Sequence, residues 1–171
     1  MILKTSRLTL RPQEQEDAAA LFAILGDCDA MRFWNRPALP HLAVAQALIA
    51  EQQTAARSGF CRYWTVLEMD DPIGSVDLSL IKQAGAELGF LFRRDRWGLG
   101  LASEAVAAVV AAAFGPLRLT HLAAGVLAGN LAAIRVLEKT GFGQVRQAEA
   151  RLAGGALAPC IFYTLTRKSG G

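Results

Sequence analysis

Two features between residues 87 and 105 combine residue types that are capable of chemistry. Glu87 begins a stretch that is otherwise apolar as far as Phe92. A basic turn that contains Gly98 and Gly100 follows it. The turn precedes a predicted helix from Leu101, and unpaired N–H groups at a helix N-terminus bind anions. Glycine lets the backbone approach a bulky phosphate. The turn is therefore a candidate phosphate site, and an ordinary strand–helix connection is the alternative.

The glutamate lies on one face of a predicted strand. Residues at period two share a face, so Glu87 lies with Gly89 while Leu88 and Phe90 lie on the opposite side. A carboxylate between apolar neighbours is partly desolvated, which raises its pKa and suits a general base. A solvated glutamate without a catalytic role is the alternative.

Other polar residues in the sequence carry weaker signals. Asn130 lies where a predicted strand ends and a helix begins, so it is expected to cap the helix and is also placed to bind a ligand amide. His41 and His121 stand alone and are interpreted as structural. The motifs of serine hydrolases, P-loop nucleotidases and dinucleotide-binding folds are absent. These classes of enzyme are therefore not predicted.

The elements that must hold these residues are seven predicted strands and four predicted helices. The predicted strands cover residues 7–12, 63–69, 73–81, 87–92, 120–127, 142–146 and 160–166, the last two on either side of Gly154-Gly155. The predicted helices cover 18–25, 41–57, 101–114 and 130–140, and 27–40 is a predicted loop. Short links between three consecutive strands indicate an antiparallel meander. The fold class is α+β, with one mixed sheet and helices on both faces.

Composition limits the kinds of partner. The 171 residues predict a single domain, 1–171, and 53% hydrophobic against 19% charged residues indicates a well-packed core. The net charge is +3, and 14 of the 18 basic residues are arginine. This balance is too mild to predict nucleic-acid binding, and it fits a small anionic ligand better.

The cysteines and the apolar segments predict the compartment. Cys28, Cys61 and Cys160 have neither disulfide-framework nor zinc-ligand spacing, so no metal is predicted and they are expected to be small buried residues. The N-terminus lacks the apolar core of a signal peptide. The longest apolar run, 105–117, is too short to span a bilayer. We therefore expect a cytoplasmic protein without membrane contact.

Several motifs in order and at fixed spacing resemble those of the GNAT acetyltransferases, and more closely the RimJ/RimL-type branch. They are Arg7-Leu-Thr-Leu-Arg-Pro12, Ile73-Gly74, Glu87-Leu-Gly-Phe90, Trp97-Gly-Leu-Gly-Leu-Ala-Ser-Glu-Ala105 and Asn130-Leu-Ala-Ala-Ile-Arg-Val-Leu-Glu-Lys-Thr-Gly-Phe142. The resemblance runs from residue 7 to the final strand. It implies a GNAT-like, mostly antiparallel sheet that splays between the fourth and fifth predicted strands.

The resemblance also implies a binding site for acetyl-CoA, as co-substrate. Backbone amides of Leu99 to Ser103 are expected to hold the diphosphate, and Asn130 and the backbone of Leu91 to Arg93 the pantetheine arm. Trp97 replaces the usual Gln or Arg, so Arg94 or Arg96 is expected to supply the cation. The full predicted set is Leu91, Phe92, Arg93, Arg94, Arg96, Trp97, Gly98, Leu99, Gly100, Leu101, Ala102, Ser103 and Asn130.

For catalysis, the resemblance assigns Glu87 as the base, acting directly or through water. The serine that relatives use as general acid is replaced by Ala133. Since an alkyl thiol has a pKa of about 8.5, the thiolate leaves without much help. Tyr63 and Tyr163 are the remaining hydroxyl candidates, and the acid stays unassigned.

The resemblance implies an N-acetyltransferase in which a bound amine attacks the thioester directly. An α-amine of pKa near 8 is roughly a tenth neutral at pH 7, against roughly 0.04% for a lysine amine, so an N-terminal amine asks less of the base. Two alternatives stay open: a small amine acceptor (an aminoglycoside, a polyamine or an amino acid), and a CoA-binding module without activity. A homodimer, frequent among relatives, is also left open.

Overall fold

The computed structural model describes residues 1–152 and 155–167, so Gly154 of the predicted Gly154-Gly155 link lies outside the described residues. The strands are β1 (Leu3–Lys4), β2 (Leu8–Pro12), β3 (Arg62–Glu68), β4 (Asp71–Lys82), β5 (Gly85–Phe92), β6 (His121–Leu127), β7 (Gly143–Arg151) and β8 (Leu157–Thr166). The helices are α1 (Ala18–Leu25), α2 (Cys28–Met31), α3 (Leu42–Arg57), α4 (Leu101–Phe114) and α5 (Leu131–Lys139).

The predicted strands and helices are all present, with small shifts at their ends. Four short elements were missed: β1, α2 within the predicted loop 27–40, and 3₁₀ turns at Gln15–Asp17 and Arg94–Arg96. The side chain of Asp27 caps α2 by accepting hydrogen bonds from the backbone of Asp29 and Ala30. A four-residue helix has no room for a repeating apolar pattern, so periodicity could not reveal it.

One eight-stranded sheet has the order β1-β2-β3-β4-β5-β6-β8-β7. Neighbouring strands are antiparallel except β5 and β6, which are parallel. That pair is short: it joins Gly85 to His121, Ala86 to Leu122 and Glu87 to Ala123. Beyond Glu87 the two strands separate, so the predicted splay is confirmed. It falls between the fifth and sixth strands once β1 is counted.

Helices cover both faces of the sheet, as predicted. Leu101, Val106 and Val109 of α4 and Leu137 of α5 join the main core on one face. On the other face, α1, α2 and α3 form a second core that includes Leu91 of β5. Among the described residues, no helix is long and apolar enough to cross a membrane.

Candidate active site

The glycine turn, Trp97 to Gly100, leads directly into α4. Gly98 and Gly100 both have left-handed backbones, with φ of 76° and 78°, which residues with a Cβ rarely adopt. A Cβ at Gly98 would meet no atom within 4 Å, so the space above the turn is open. The first N–H groups of α4 lack helical acceptors because of their position. The turn thus has the conformation that its predicted role as an anion cradle requires.

The N-terminal segment holds the glycine turn in place. The Glu104 carboxylate accepts hydrogen bonds from the hydroxyls of Thr5 (2.5 Å) and Ser6 (3.0 Å), and from the backbone and side chain of Arg7. Arg7 Nη1 also donates to the Leu99 carbonyl at 3.0 Å. Although burial raises the pKa of Glu104, these hydrogen bonds dominate and lower it to about 2. The sequence motif that begins at Arg7 therefore buttresses the turn.

The three arginines before the turn are paired with carboxylates. Arg93 binds Asp71 and Asp95, and Arg96 binds Glu68 and Asp95. Arg94 reaches Asp29 and, at 2.8 Å, Asp27. Trp97 donates its indole N–H to the Phe92 carbonyl at 2.8 Å. Each predicted cation therefore already has a protein partner, and its contact with a diphosphate stays a prediction.

The splay leaves part of β5 without a ladder partner. Arg93 N–H donates to the Ile73 carbonyl at 2.9 Å. Since backbone groups alternate in direction along an antiparallel strand, Leu91 also bonds toward β4, whereas Phe92 points toward β6. The Phe92 carbonyl is taken by Trp97, which leaves its N–H directed at the opening. Of the predicted segment Leu91 to Arg93, Phe92 is best placed to donate to a ligand.

Glu87 lies at the point where the splay begins, as the last residue of β5 that pairs with β6. Its side chain is exposed, so the expected partial desolvation is wrong and the alternative, a solvated glutamate, describes its surroundings. Its flanking residues are apolar but point to the opposite face, since Ala86 and Leu88 belong to the main core. Its role as base stays a prediction.

The sequence analysis missed Asp77, which lies beside Glu87. Register pairs Asp77 with Gly89 of β5 and with Tyr63 of β3, and it pairs Ser79 with Glu87. Burial first, and then the charge of Glu87, raise the pKa of Asp77 to about 7. The signal was present in β4, where polar residues 75, 77 and 79 alternate with apolar ones on the face that Glu87 shares.

Asn130 caps α5, as predicted. Its side-chain oxygen accepts from the Ala133 backbone N–H at 3.1 Å. The amide nitrogen makes no hydrogen bond with any residue that the structure describes, so it is available to a ligand. Of the two candidate acids, Tyr163 is 1% exposed and lies within the core, whereas Tyr63 is half-buried on the face of Asp77.

The cysteines and potential metal ligands show no further site. All three cysteines are free, but only Cys160 is buried; Cys28 is exposed and Cys61 half-buried, so the expected burial is wrong for those two. Among the described residues, no three His, Cys, Asp or Glu side chains form a metal-binding group. His121 packs over Gly85, where a Cβ would lie 2.1 Å from the ring nitrogen.

Comparison with known proteins agrees with this geometry. The family model described as acetyltransferase (GNAT) domain matches residues 7–143. The uncharacterized N-acetyltransferase p20 of Bacillus licheniformis is 30% identical over 173 residues, covering 97% of this chain and 96% of that protein.

Two solved structures share the fold. A GNAT-family acetyltransferase from Bacillus anthracis superposes with a TM-score of 0.88 at 20% identity, covering 99% of this chain and 100% of the other. RimL, a ribosomal L7/L12 α-N-protein acetyltransferase in complex with CoA, gives 0.87 at 14% identity, covering 97% and 98%. Because the family model spans most of the chain, and a relative named as an N-acetyltransferase matches nearly all of it, this protein belongs to the GNAT family of N-acetyltransferases.

Proposed function

We propose that the protein transfers an acetyl group from acetyl-CoA to the α-amine at the N-terminus of a peptide or protein. The observation that carries the proposal is the opening between β5 and β6, which begins at Glu87 and runs toward the glycine turn. Glu87 and the glycine turn, which is the proposed cradle for the diphosphate, thus lie at two ends of one cleft. This is the arrangement that a donor thioester and a protonated acceptor need.

The donor half of the proposal depends on backbone groups. The diphosphate is expected to bind the N–H groups of Leu99 to Ser103, where the macrodipole of α4 adds positive potential. Phe92 N–H and the Asn130 amide nitrogen are expected to bind the pantetheine arm. Arg94 and Arg96 are expected to exchange part of their carboxylate pairing for the phosphates. The RimL structure, of the same fold, was determined with CoA.

The acceptor half of the proposal depends on charge and on acidity. Glu87 is exposed at the cleft and attracts an ammonium group. An α-amine gives up its proton near neutral pH far more readily than a lysine does, so a modest base suffices. RimL, with the same fold, is described as an α-N-protein acetyltransferase, and this supports the same acceptor class here. Glu87 is expected to take part in removing the proton, directly or through water.

Release of the thiolate needs no strong acid in this proposal. Ala133 has no hydroxyl, and Tyr163 lies in the core with its hydroxyl beside Glu138 of α5. A thiol of pKa about 8.5 leaves as a thiolate that is only slightly basic. The thiolate then takes a proton from the amine nitrogen or from water.

A turnover panel tests the proposal. The full chain is incubated with acetyl-CoA and peptides that differ in their N-terminal residue, with N-terminally blocked peptides and with small amines, and release of free thiol is followed. We expect turnover with free N-terminal peptides and none with blocked ones. Activity confined to aminoglycosides, polyamines or amino acids would replace the proposed acceptor with a small amine.

Donor binding is measured separately by thermal unfolding. Ligand at about 100 times its dissociation constant stabilises the folded state by about 2.7 kcal/mol, which appears as a raised Tm. A raised Tm without turnover on any amine would instead identify a CoA-binding module. No change with CoA or acetyl-CoA would contradict the donor site.

A further inference from the structure

Asp77 extends across β5 toward the open part of the splay. A Cβ placed on Gly89 would lie only 2.6 Å from Asp77 Oδ1, closer than unbonded atoms approach. The carboxyl group therefore occupies the space that a side chain at position 89 would need. Gly89 comes two residues after Glu87, where β5 no longer pairs with β6. The carboxyl group thus lies over the strand where the cleft opens.

Asp77 is half-buried and has no cationic partner among the residues that the structure describes. Among the described residues, no Lys, Arg or His side chain forms a salt bridge with its carboxylate, and the Ser79 hydroxyl lies beside it. Asp17 provides the contrast on the same face: it is fully buried, and it pairs with Arg11 at 2.6 Å and accepts from Thr65 at 2.6 Å. A carboxyl group without a cationic partner is free to accept a hydrogen bond or a proton from a ligand.

The groups around Asp77 increase the cost of its negative charge. Glu87 faces it from β5 and Tyr63 from β3, with Cys61 and Arg36 close to the tyrosine. Helix α1, which packs on β4, consists of the apolar residues Ala18–Leu25. Burial and the charge of Glu87 raise the pKa of Asp77 to about 7, and the nearby Ser79 hydroxyl offsets only part of this.

We propose that Asp77 is the final proton acceptor of the acetyl-transfer site, and that Glu87 is the exposed carboxylate that passes the proton to it. The inference rests on the proposed function, since it assumes an amine acceptor in the cleft. A base is most effective when its affinity for protons matches the working pH. Asp77, the more buried of the two carboxyl groups, has such a proton affinity.

The proton balance is simple. The acceptor begins as an ammonium ion, and its first proton passes to the Asp77 carboxylate, through Glu87 or water. The neutral nitrogen then forms the C–N bond with the thioester carbonyl carbon, the C–S bond breaks, and its electron pair leaves on sulfur. The second proton of the nitrogen neutralises the thiolate, and Asp77 returns its proton to water.

Asp77→Asn in the full chain tests this assignment with the amine that the wild type acetylates. We expect kcat to fall at least about 100-fold, the magnitude typical of losing a general base. The acetyl-CoA-dependent rise in Tm should persist, and the acidic limb of the kcat/KM profile near pH 7 should disappear. Asp70→Asn makes the same charge change in the turn before β4, and it should leave rate and profile unchanged.

Glu87→Gln provides an independent readout. Removing the neighbouring negative charge makes Asp77 easier to ionise, so the acidic limb should move to lower pH, which a purely structural effect would not cause. This result decides the matter if Asp77→Asn fails to fold. If the acidic limb of Glu87→Gln stays at the wild-type pH, or if a folded Asp77→Asn protein has wild-type kinetics, the inference about Asp77 is overturned while the proposed function stands. A wild type without turnover on any amine would overturn the proposed function together with it.

Discussion

The glycine turn and the carboxyl pair lie at opposite ends of one opening in the sheet, but they are built from different parts of the chain. The turn is a single short segment with two left-handed glycines, and its proposed role in donor binding depends on backbone N–H groups. The charged side chains beside it, such as Arg93 and Glu104, are already paired. The carboxyl pair comes from two strands, and within the described part of the chain Asp77 has no cationic partner.

This difference predicts how each region responds to mutation. A site made of backbone groups is sensitive to added volume and to backbone conformation, and it tolerates changes of side-chain charge. A site made of unpaired side chains is sensitive to charge, and its effect appears in rate and pH dependence. Donor affinity and chemical rate should therefore be separable by single substitutions.

The largest effect on donor binding is expected for Gly100→Val. Valine is strained at φ 78° and its side chain crowds the space that the diphosphate is expected to occupy. We predict that the Kd for acetyl-CoA rises about 100-fold, equivalent to about 2.7 kcal/mol. Isothermal titration calorimetry measures it directly.

Gly59→Val is the matched control, since Gly59 also has a left-handed backbone, φ 82°, but lies beyond the end of α3. The Gly59→Val substitution carries a similar conformational cost and should leave the Kd for acetyl-CoA unchanged. Normal affinity in Gly100→Val would mean that the diphosphate binds elsewhere. Equal losses in both variants would point to general destabilisation instead.

A smaller effect is expected for Glu87→Gln. Because the exposed carboxylate attracts and passes on a proton without being its final acceptor, kcat should fall about tenfold, below the loss typical of a general base. Acetyl-CoA affinity should stay the same, since the glycine turn is untouched. Steady-state kinetics with calorimetry on the same preparation separate the two quantities.

Glu51→Gln, an equal change at an exposed position of α3, is the control for surface charge. An unchanged kcat in Glu87→Gln would return Glu87 to a structural role and leave Asp77 to accept the proton without it. A weakened Kd would contradict the separation of the two regions.

Much of the fold was readable from the sequence because its signals are local. The glycines of the turn and the Asn130 cap each act within a few residues. The structure has both where they were predicted, at the starts of α4 and α5. Strand β1 was missed because two residues carry no period, and its position depends on pairing with β2. The charge pairs of Arg94 with α2 and its cap join residues 65 and 67 positions apart, which no local pattern reveals.

The carboxyl pair shows why part of the site escaped prediction. The alternation in β4 identifies the face on which Asp77 lies, but not which strand lies opposite it. Only the register that places Asp77 beside Gly89 brings its carboxyl group to the cleft. The burial of Glu87 was also wrongly expected, because apolar neighbours in sequence point to the other face of a strand.

The smallest effect is expected for Glu104→Gln, which tests whether the buttress of the glycine turn matters for donor binding. Glu104 accepts hydrogen bonds from Thr5, Ser6 and Arg7, and Arg7 in turn holds the Leu99 carbonyl. A loosened turn should raise the Kd for acetyl-CoA about threefold and cost about 1 kcal/mol of unfolding free energy. Calorimetry and urea unfolding measure the two.

The loss of unfolding free energy in Glu104→Gln should depend on pH. The pKa of Glu104 is about 2 in the folded state, below its value of about 4.3 in the unfolded chain. Its stabilisation is therefore complete above about pH 4.3, and it is lost as the pH falls toward 2. As the pH falls from about 4.3 toward 2, the difference in unfolding free energy between wild type and Glu104→Gln should become smaller. A difference that stays constant would mean that the contacts of Glu104 depend on its shape rather than its charge.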